Sequence, residues 1–118
     1  MDKLDDIFRL QEMFDTSLAS RRDLSYSTEE WVQKETLAIL AELGELLDEV
    51  NFKWWKNPHP VDRERVTEEL VDILHFYVSM CLKVGLSAES LHSAYVKKNR
   101  ENFLRQEGQS GKDGYKAP

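Results

Sequence analysis

Two stretches of this chain, LAELGELLDEV at 40–50 and EELVDILHFYVSMCL at 68–82, are apolar on nearly every side of a helix, yet each carries acids at short helical spacing. At about 100° per residue, Glu42, Glu45 and Glu49 fall within one narrow arc, while Leu40, Leu43, Leu46, Leu47 and Val50 take most of the rest. Glu69, Asp72 and Phe76 share one side of the later stretch, and Leu70, Ile73, Leu74, Tyr77, Val78 and Cys81 cover the others. A helix apolar nearly all round is buried against neighbours on several sides. Packing the two helices acid side to acid side gathers Glu42, Glu45, Glu69 and Asp72. Carboxylates at close range raise each other's pKa, and a cation resolves the conflict. Oxygen ligands with no cysteine among them point to magnesium, with manganese as a substitute, rather than zinc. The bland alternative, two solvated stripes, is weakened because neither helix has much other polar surface.

The rest of the chain is organised around these helices. Its 118 residues make one domain, 1–118, which buries only about two-thirds of its unfolded surface, so pairing with a second copy helps. Helical periodicity dominates. An amphipathic segment covers about 4–18, with Leu4, Ile7, Phe8, Leu10, Phe14 and Leu18 on its apolar side. Ser27 and Glu30 form a capping-box pattern that starts a second helix, reaching about Val50. Pro58 and Pro60 forbid ordinary helix through 51–60. A third helix runs from near Asp62 to Gly85, a residue suited to a left-handed C-cap, and Ser87 caps a fourth reaching about Arg105. The tail, 106–118, reads as flexible. The expected fold is all-α, a helical bundle built around a four-helix core and completed by dimerisation.

Charge and cysteine content narrow the function classes. With 22 Asp and Glu against 16 Lys and Arg, the chain lacks the basic footprint of a nucleic-acid polymer binder. A single cysteine excludes a disulfide framework and suits a reducing cytoplasm. The charged N-terminus is no signal peptide, and the apolar run 71–86 is too short and too polar to span a membrane.

Other residues suggest what a metal in the acidic cluster would serve. Lys98, Asn102 and Arg105 stand on one stripe of the fourth helix and suit phosphates, or else they are a solvated helix end. Phe52, Trp54 and Trp55 lie beside Pro58, where they either stack on a nucleobase or close a core or dimer interface. Asp72-x-x-His75 is one imperfect copy of an element that di-iron bundles use twice, so His75 reads as a hydrogen-bonded partner at the site's edge.

Together, Glu42-x-x-Glu45 and Glu69-x-x-Asp72 resemble the signature of the all-α nucleoside triphosphate pyrophosphatase superfamily, which includes MazG-like enzymes and dimeric dUTPases. The segments LQEMFD, AELGELLDEVNFKWWK, EELVDILHF, KKNRENFLRQ and KDGYK are more similar to the dimeric dUTPase branch and span most of the chain. That resemblance implies an all-α dimer, or a dimer of dimers, that binds magnesium and hydrolyses dUTP to dUMP and pyrophosphate. It implies Glu42, Glu45, Glu69 and Asp72 as metal ligands and catalytic residues, with Glu42 activating water. It assigns Lys98, Asn102, Arg105, Lys112 and Tyr115 to the phosphates, and Gln11, Asp15, Trp55 and Phe76 to the base. Many dimeric dUTPases carry asparagine where this chain has Asp15. The chain is also shorter than most members, which keeps open a broader house-cleaning pyrophosphohydrolase of MazG-like type. A third reading is a non-enzymatic dimeric helical module with an acidic docking face.

Overall fold

The computed structural model describes residues 2–109, 111 and 114. It is all-α. Helices α1 (Lys3–Arg22), α2 (Thr28–Glu49), α3 (Arg63–Lys83) and α4 (Ala88–Gln106) follow in chain order, and no strand occurs among the described residues. No single helix there is long and apolar enough to cross a membrane.

Local chemistry sets the boundaries. The Asp2 side chain accepts from the Asp5 backbone N–H to start α1, and Asp5 and Asp6 follow in its first turn, where the helix dipole favours acids. α1 runs one turn beyond the expected Leu18. Ala19 and Ser20 continue it, Arg21 and Arg22 suit its carbonyl end, and Asp23 turns left-handed at φ 52° to stop it. Ser27 and Glu30 form the capping box of α2. Asp62 caps α3, which ends two residues before Gly85, itself at φ 84°. Ser87 caps α4.

The chain divides into two compact units, 1–85 and 86–118. In the first, α3 packs against both α1 and α2. α2 and α3 run antiparallel, since Glu35 meets Ser79, Thr36 meets Met80, and Glu42 meets Glu69 and Asp72. Phe8, Val78 and Cys81 are the buried apolar residues of this unit, a small core for three helices. Many leucines lie outside it: Leu37 is 64% and Leu40 57% exposed, and Leu43, Leu47, Leu70 and Leu74 are also exposed. The polar residues take the seam instead. The second unit contributes α4 and the start of the tail, most of which lies outside the described residues.

Candidate active site

The seam between α2 and α3 has a repeating rule. On α2 the inward positions are Trp31, Glu35, Ala38, Glu42, Glu45 and Glu49, alternately four and three residues apart. On α3 they are Glu69, Asp72, Phe76, Ser79 and Lys83, with the same alternation. Two facing helices normally fill such stripes with leucine. Here acids, a serine and a lysine take eight of these eleven positions, and Trp31, Ala38 and Phe76 the other three.

At one end, carboxylate oxygens of Glu42, Glu69 and Asp72 all lie within 4.8 Å of one another. Glu45 stands beside them, more exposed, within hydrogen-bonding reach of Glu42 and Glu69. Loss of hydration, reinforced by the neighbouring Glu42 and Glu45, pushes the Glu69 carboxyl up to about 7. Loss of hydration also raises Glu42; a hydrogen bond with Glu69 opposes the shift, and Glu45 and Asp72 add to it. One oxygen each of Glu42, Glu49 and Glu69, and one of Glu35 further along the seam, is buried with no hydrogen-bond partner. Buried acceptors left unsatisfied are costly, and Glu42 and Glu69 belong with Asp72 to the cluster where a divalent ion with oxygen ligands fits. The donor set suits magnesium or manganese.

At the other end of the seam the acids meet an ammonium and a hydroxyl, although Glu35 Oε2 is buried with no hydrogen-bond partner. Ser79 Oγ lies 2.7 Å from Asp15 Oδ2 and also touches Glu35 Oε1. Lys83 Nζ donates to Ser79 Oγ at 3.1 Å and to Asp15 Oδ2 at 3.3 Å, lies 3.7 Å from Glu35 Oε1, and sits over the Trp31 ring. A serine hydroxyl carries one hydrogen and serves one carboxylate at a time. Burial pushes the Glu35 carboxyl up, and the Ser79 hydrogen bond and the Lys83 charge oppose the shift. From Asp15 the network continues outward. Gln11 Nε2 donates to Asp15 Oδ1 at 2.9 Å, and His75 Nδ1 lies 2.6 Å from Gln11 Oε1.

One cavity of about 370 Å³ joins the two ends. Glu42 and Asp72 reach it from the acidic side, Gln11, Asp15, Glu35, His75 and Ser79 from the paired side, and Phe14, Leu18 and Phe76 supply its apolar wall. Five of the sequence-predicted residues for metal and base, Glu42, Asp72, Gln11, Asp15 and Phe76, therefore meet in one space. Trp55 does not line it. That side chain belongs to the 51–60 loop, 60% exposed, edge-on to Phe52 and Trp54.

Lys98, Asn102 and Arg105 share a face of α4 in the second unit, where Arg105 pairs with Glu101 at 3.3 Å. Lys112 and Tyr115 lie outside the described residues. Sequence reasoning missed Glu35, Ser79 and Lys83. The signal was available: the three-four spacing that groups Glu42 with Glu45, and Glu69 with Asp72, continues unbroken to these positions.

A family model described as dUTPase matches residues 3–88. The chain belongs to this dUTPase family. The match covers α1 to α3, and with them the whole α2–α3 seam and the Gln11–Asp15 pair. A dCTP pyrophosphatase of Enterobacteria phage LZ5 is 32% identical over 75 residues, covering 64% of this chain and 44% of that protein. The dCTP pyrophosphatase of Enterobacteria phage T4 is 32% identical over 88 residues, covering 63% of this chain and 52% of that protein. This dUTPase-family chain thus spans about half the length of the curated relatives it matches. No solved structure matches.

Proposed function

We propose that the chain is a magnesium-dependent pyrophosphohydrolase that converts a pyrimidine deoxynucleoside triphosphate to its monophosphate and pyrophosphate. The supporting observation is the shared cavity: Asp72 and Glu42, which has an orphaned buried oxygen, open into the same space as an amide, a carboxylate and two phenylalanines. Triphosphate chemistry calls for the first group, and a nucleobase for the second. The family signature favours dUTP, and the names of the phage relatives favour dCTP.

In this reading Glu42, Glu45, Glu69 and Asp72 hold the metal. When bound, magnesium, or manganese in its place, polarises phosphoryl oxygens and offsets their charge. Glu42 takes the proton from the attacking water. Lys98, Asn102 and Arg105, with Lys112 and Tyr115, hold the phosphates, Gln11 and Asp15 meet the base edge, and Phe76 packs on one of its faces. The outward leucines of α2 and α3 support pairing with a second copy, which sedimentation of the native protein reads directly. The enzyme acts in the cytoplasm, where its nucleotide substrate and magnesium are found.

Hydrolysis of dUTP, dCTP, dTTP, dATP and UTP with product identification tests the proposal. Monophosphate and pyrophosphate from a pyrimidine deoxynucleotide support it. Comparable rates across all five favour the broad house-cleaning reading instead. Absence of turnover, together with no thermal shift on adding magnesium and nucleotide, favours the non-enzymatic helical module, because a bound ligand must stabilise the fold by mass action.

A further inference from the structure

The polarity of the cavity's paired side is fixed by residues behind it. Asp15 receives the Lys83 ammonium and the Ser79 hydroxyl on Oδ2, and the Gln11 amide on Oδ1. Lys83 and Asp15 are only 21% and 18% exposed, so their pairing is sheltered from water. An ionised carboxylate has no hydrogen to give. Gln11 must therefore turn its NH2 towards Asp15, which leaves its Oε1 facing His75 and makes His75 Nδ1 the donor in that contact. Gln11 is 6% exposed, so water is poorly placed to replace either partner of its amide.

We infer that Lys83 and Ser79, by holding Asp15 as a pure acceptor, lock Gln11 as its donor neighbour, and that this acceptor–donor edge selects cytosine over uracil. The inference rests on the reading above that the cavity takes the base of a pyrimidine nucleotide. Cytosine presents a 4-amino donor next to an N3 acceptor, so the amino group meets Asp15 and N3 meets the remaining N–H of Gln11. Uracil presents the reverse, an O4 acceptor next to an N3–H donor. In the same position it sets oxygen against carboxylate and N–H against N–H. Both mismatches occur among groups withdrawn from water, where unpaired polar atoms are most costly. Asparagine at position 15 lifts the constraint, since both amides can then reverse to offer a donor to O4 and an acceptor to N3–H. Asp15 is thus a specificity-determining residue, and Lys83 and Ser79 are positioning residues acting through it.

Binding of dCMP and dUMP, measured by calorimetry in the presence of magnesium, reads the base edge without turnover. The wild-type protein is expected to bind dCMP at least about 10-fold more tightly than dUMP, and Asp15→Asn to shift that ratio towards dUMP by a similar factor. A wild-type protein that binds dUMP as well as dCMP, or binds neither, overturns the inference. So does an Asp15→Asn protein, helical by circular dichroism, that keeps the wild-type ratio. If Asp15→Asn does not fold, Ser79→Ala removes one donor from Asp15. It is expected to narrow the dCMP preference several-fold, and an unchanged ratio overturns the inference. Selective binding of dCMP without hydrolysis of dCTP overturns the proposed activity while supporting this assignment, so the two failures are distinguishable.

Discussion

The two ends of the α2–α3 seam are built from the same kind of stripe and solve the same problem differently. At the Lys83 end, Glu35 and Asp15 face inward, and an ammonium and a hydroxyl from α3 meet them. At the Glu69 end, Glu42, Glu45, Glu69 and Asp72 have chiefly one another, and none of them forms an ion pair among the described residues. Sheltered acids that are already neutralised hold a structure together. Sheltered acids left without a cation stand ready for one from outside. Substitutions that neutralise charge should therefore act in opposite directions at the two ends.

The largest expected effect is at the acidic end. Asp72→Asn and Glu45→Gln should each lower turnover by on the order of 10³-fold, because each removes a ligand or neighbour of the catalytic acids. The same variants in EDTA should melt no lower than the parent, since each removes a like charge from the cluster. EDTA alone should abolish turnover of the parent, and added magnesium should restore it. A variant with parental rates, or one that unfolds in EDTA, would erase the contrast between the ends.

Next comes the paired end, where neutralisation should cost stability. Lys83→Met leaves Asp15 and Glu35 inside the seam without their cation. The pair is sheltered but not fully buried, so the expected loss is about 2 kcal/mol, between the surface and interior extremes. Urea denaturation followed by circular dichroism measures it. A loss near zero would mean that Lys83 contributes polarity but no stability, and the comparison would then rest on the acidic end alone.

This contrast was only half visible in the amino-acid sequence. Helix starts and stops are local chemistry, so Ser27 with Glu30, Asp62, Ser87 and Gly85 marked them to within a residue or two. The acids were visible as well, because a leucine-rich helix leaves few other reasons for Glu42 or Asp72. Ser79 and Lys83 were not, because neither is a residue type sought when looking for metal ligands, and a lone lysine in an apolar helix reads as an end near solvent. Glu35 was missed because Glu42, Glu45 and Glu49 already completed an arc. Gln11 and Asp15 came from resemblance alone. Their place opposite His75 and Ser79 depends on how α1 lies on α3, a tertiary relation that no spacing within α1 encodes. Trp55 shows the converse, an aromatic whose position in a proline-broken loop could not be set by periodicity.

The smallest expected effect is in the loop that leaves the acidic end. The Asn51 side chain clasps the His59 backbone with two hydrogen bonds of 2.9 Å. Both ring nitrogens of His59 face carbonyl oxygens, Nδ1 that of Pro60 at 2.9 Å and Nε2 that of Asp48 at 2.8 Å. Carbonyl oxygens only accept, so both contacts are hydrogen bonds only when the ring carries two hydrogens. These two carbonyls, Pro60 first and Asp48 second, raise the His59 pKa above its usual 6.5. The imidazolium also sits where the end of α2 favours positive charge. Because the folded pKa is the higher one, the clasp's contribution is complete below pH 6.5 and is lost as pH rises through the folded value. Tryptophan emission from a Trp31→Phe protein, which keeps only Trp54 and Trp55, should shift over that interval as the loop loosens. His59→Gln, whose amide does not titrate, should remove the transition. Lys83→Met should leave it in place, since the Lys83 network is tied to Asp15, Ser79 and Glu35 and shares no hydrogen bond with the clasp. Were Lys83→Met to abolish it, the two ends of the seam would be one coupled unit.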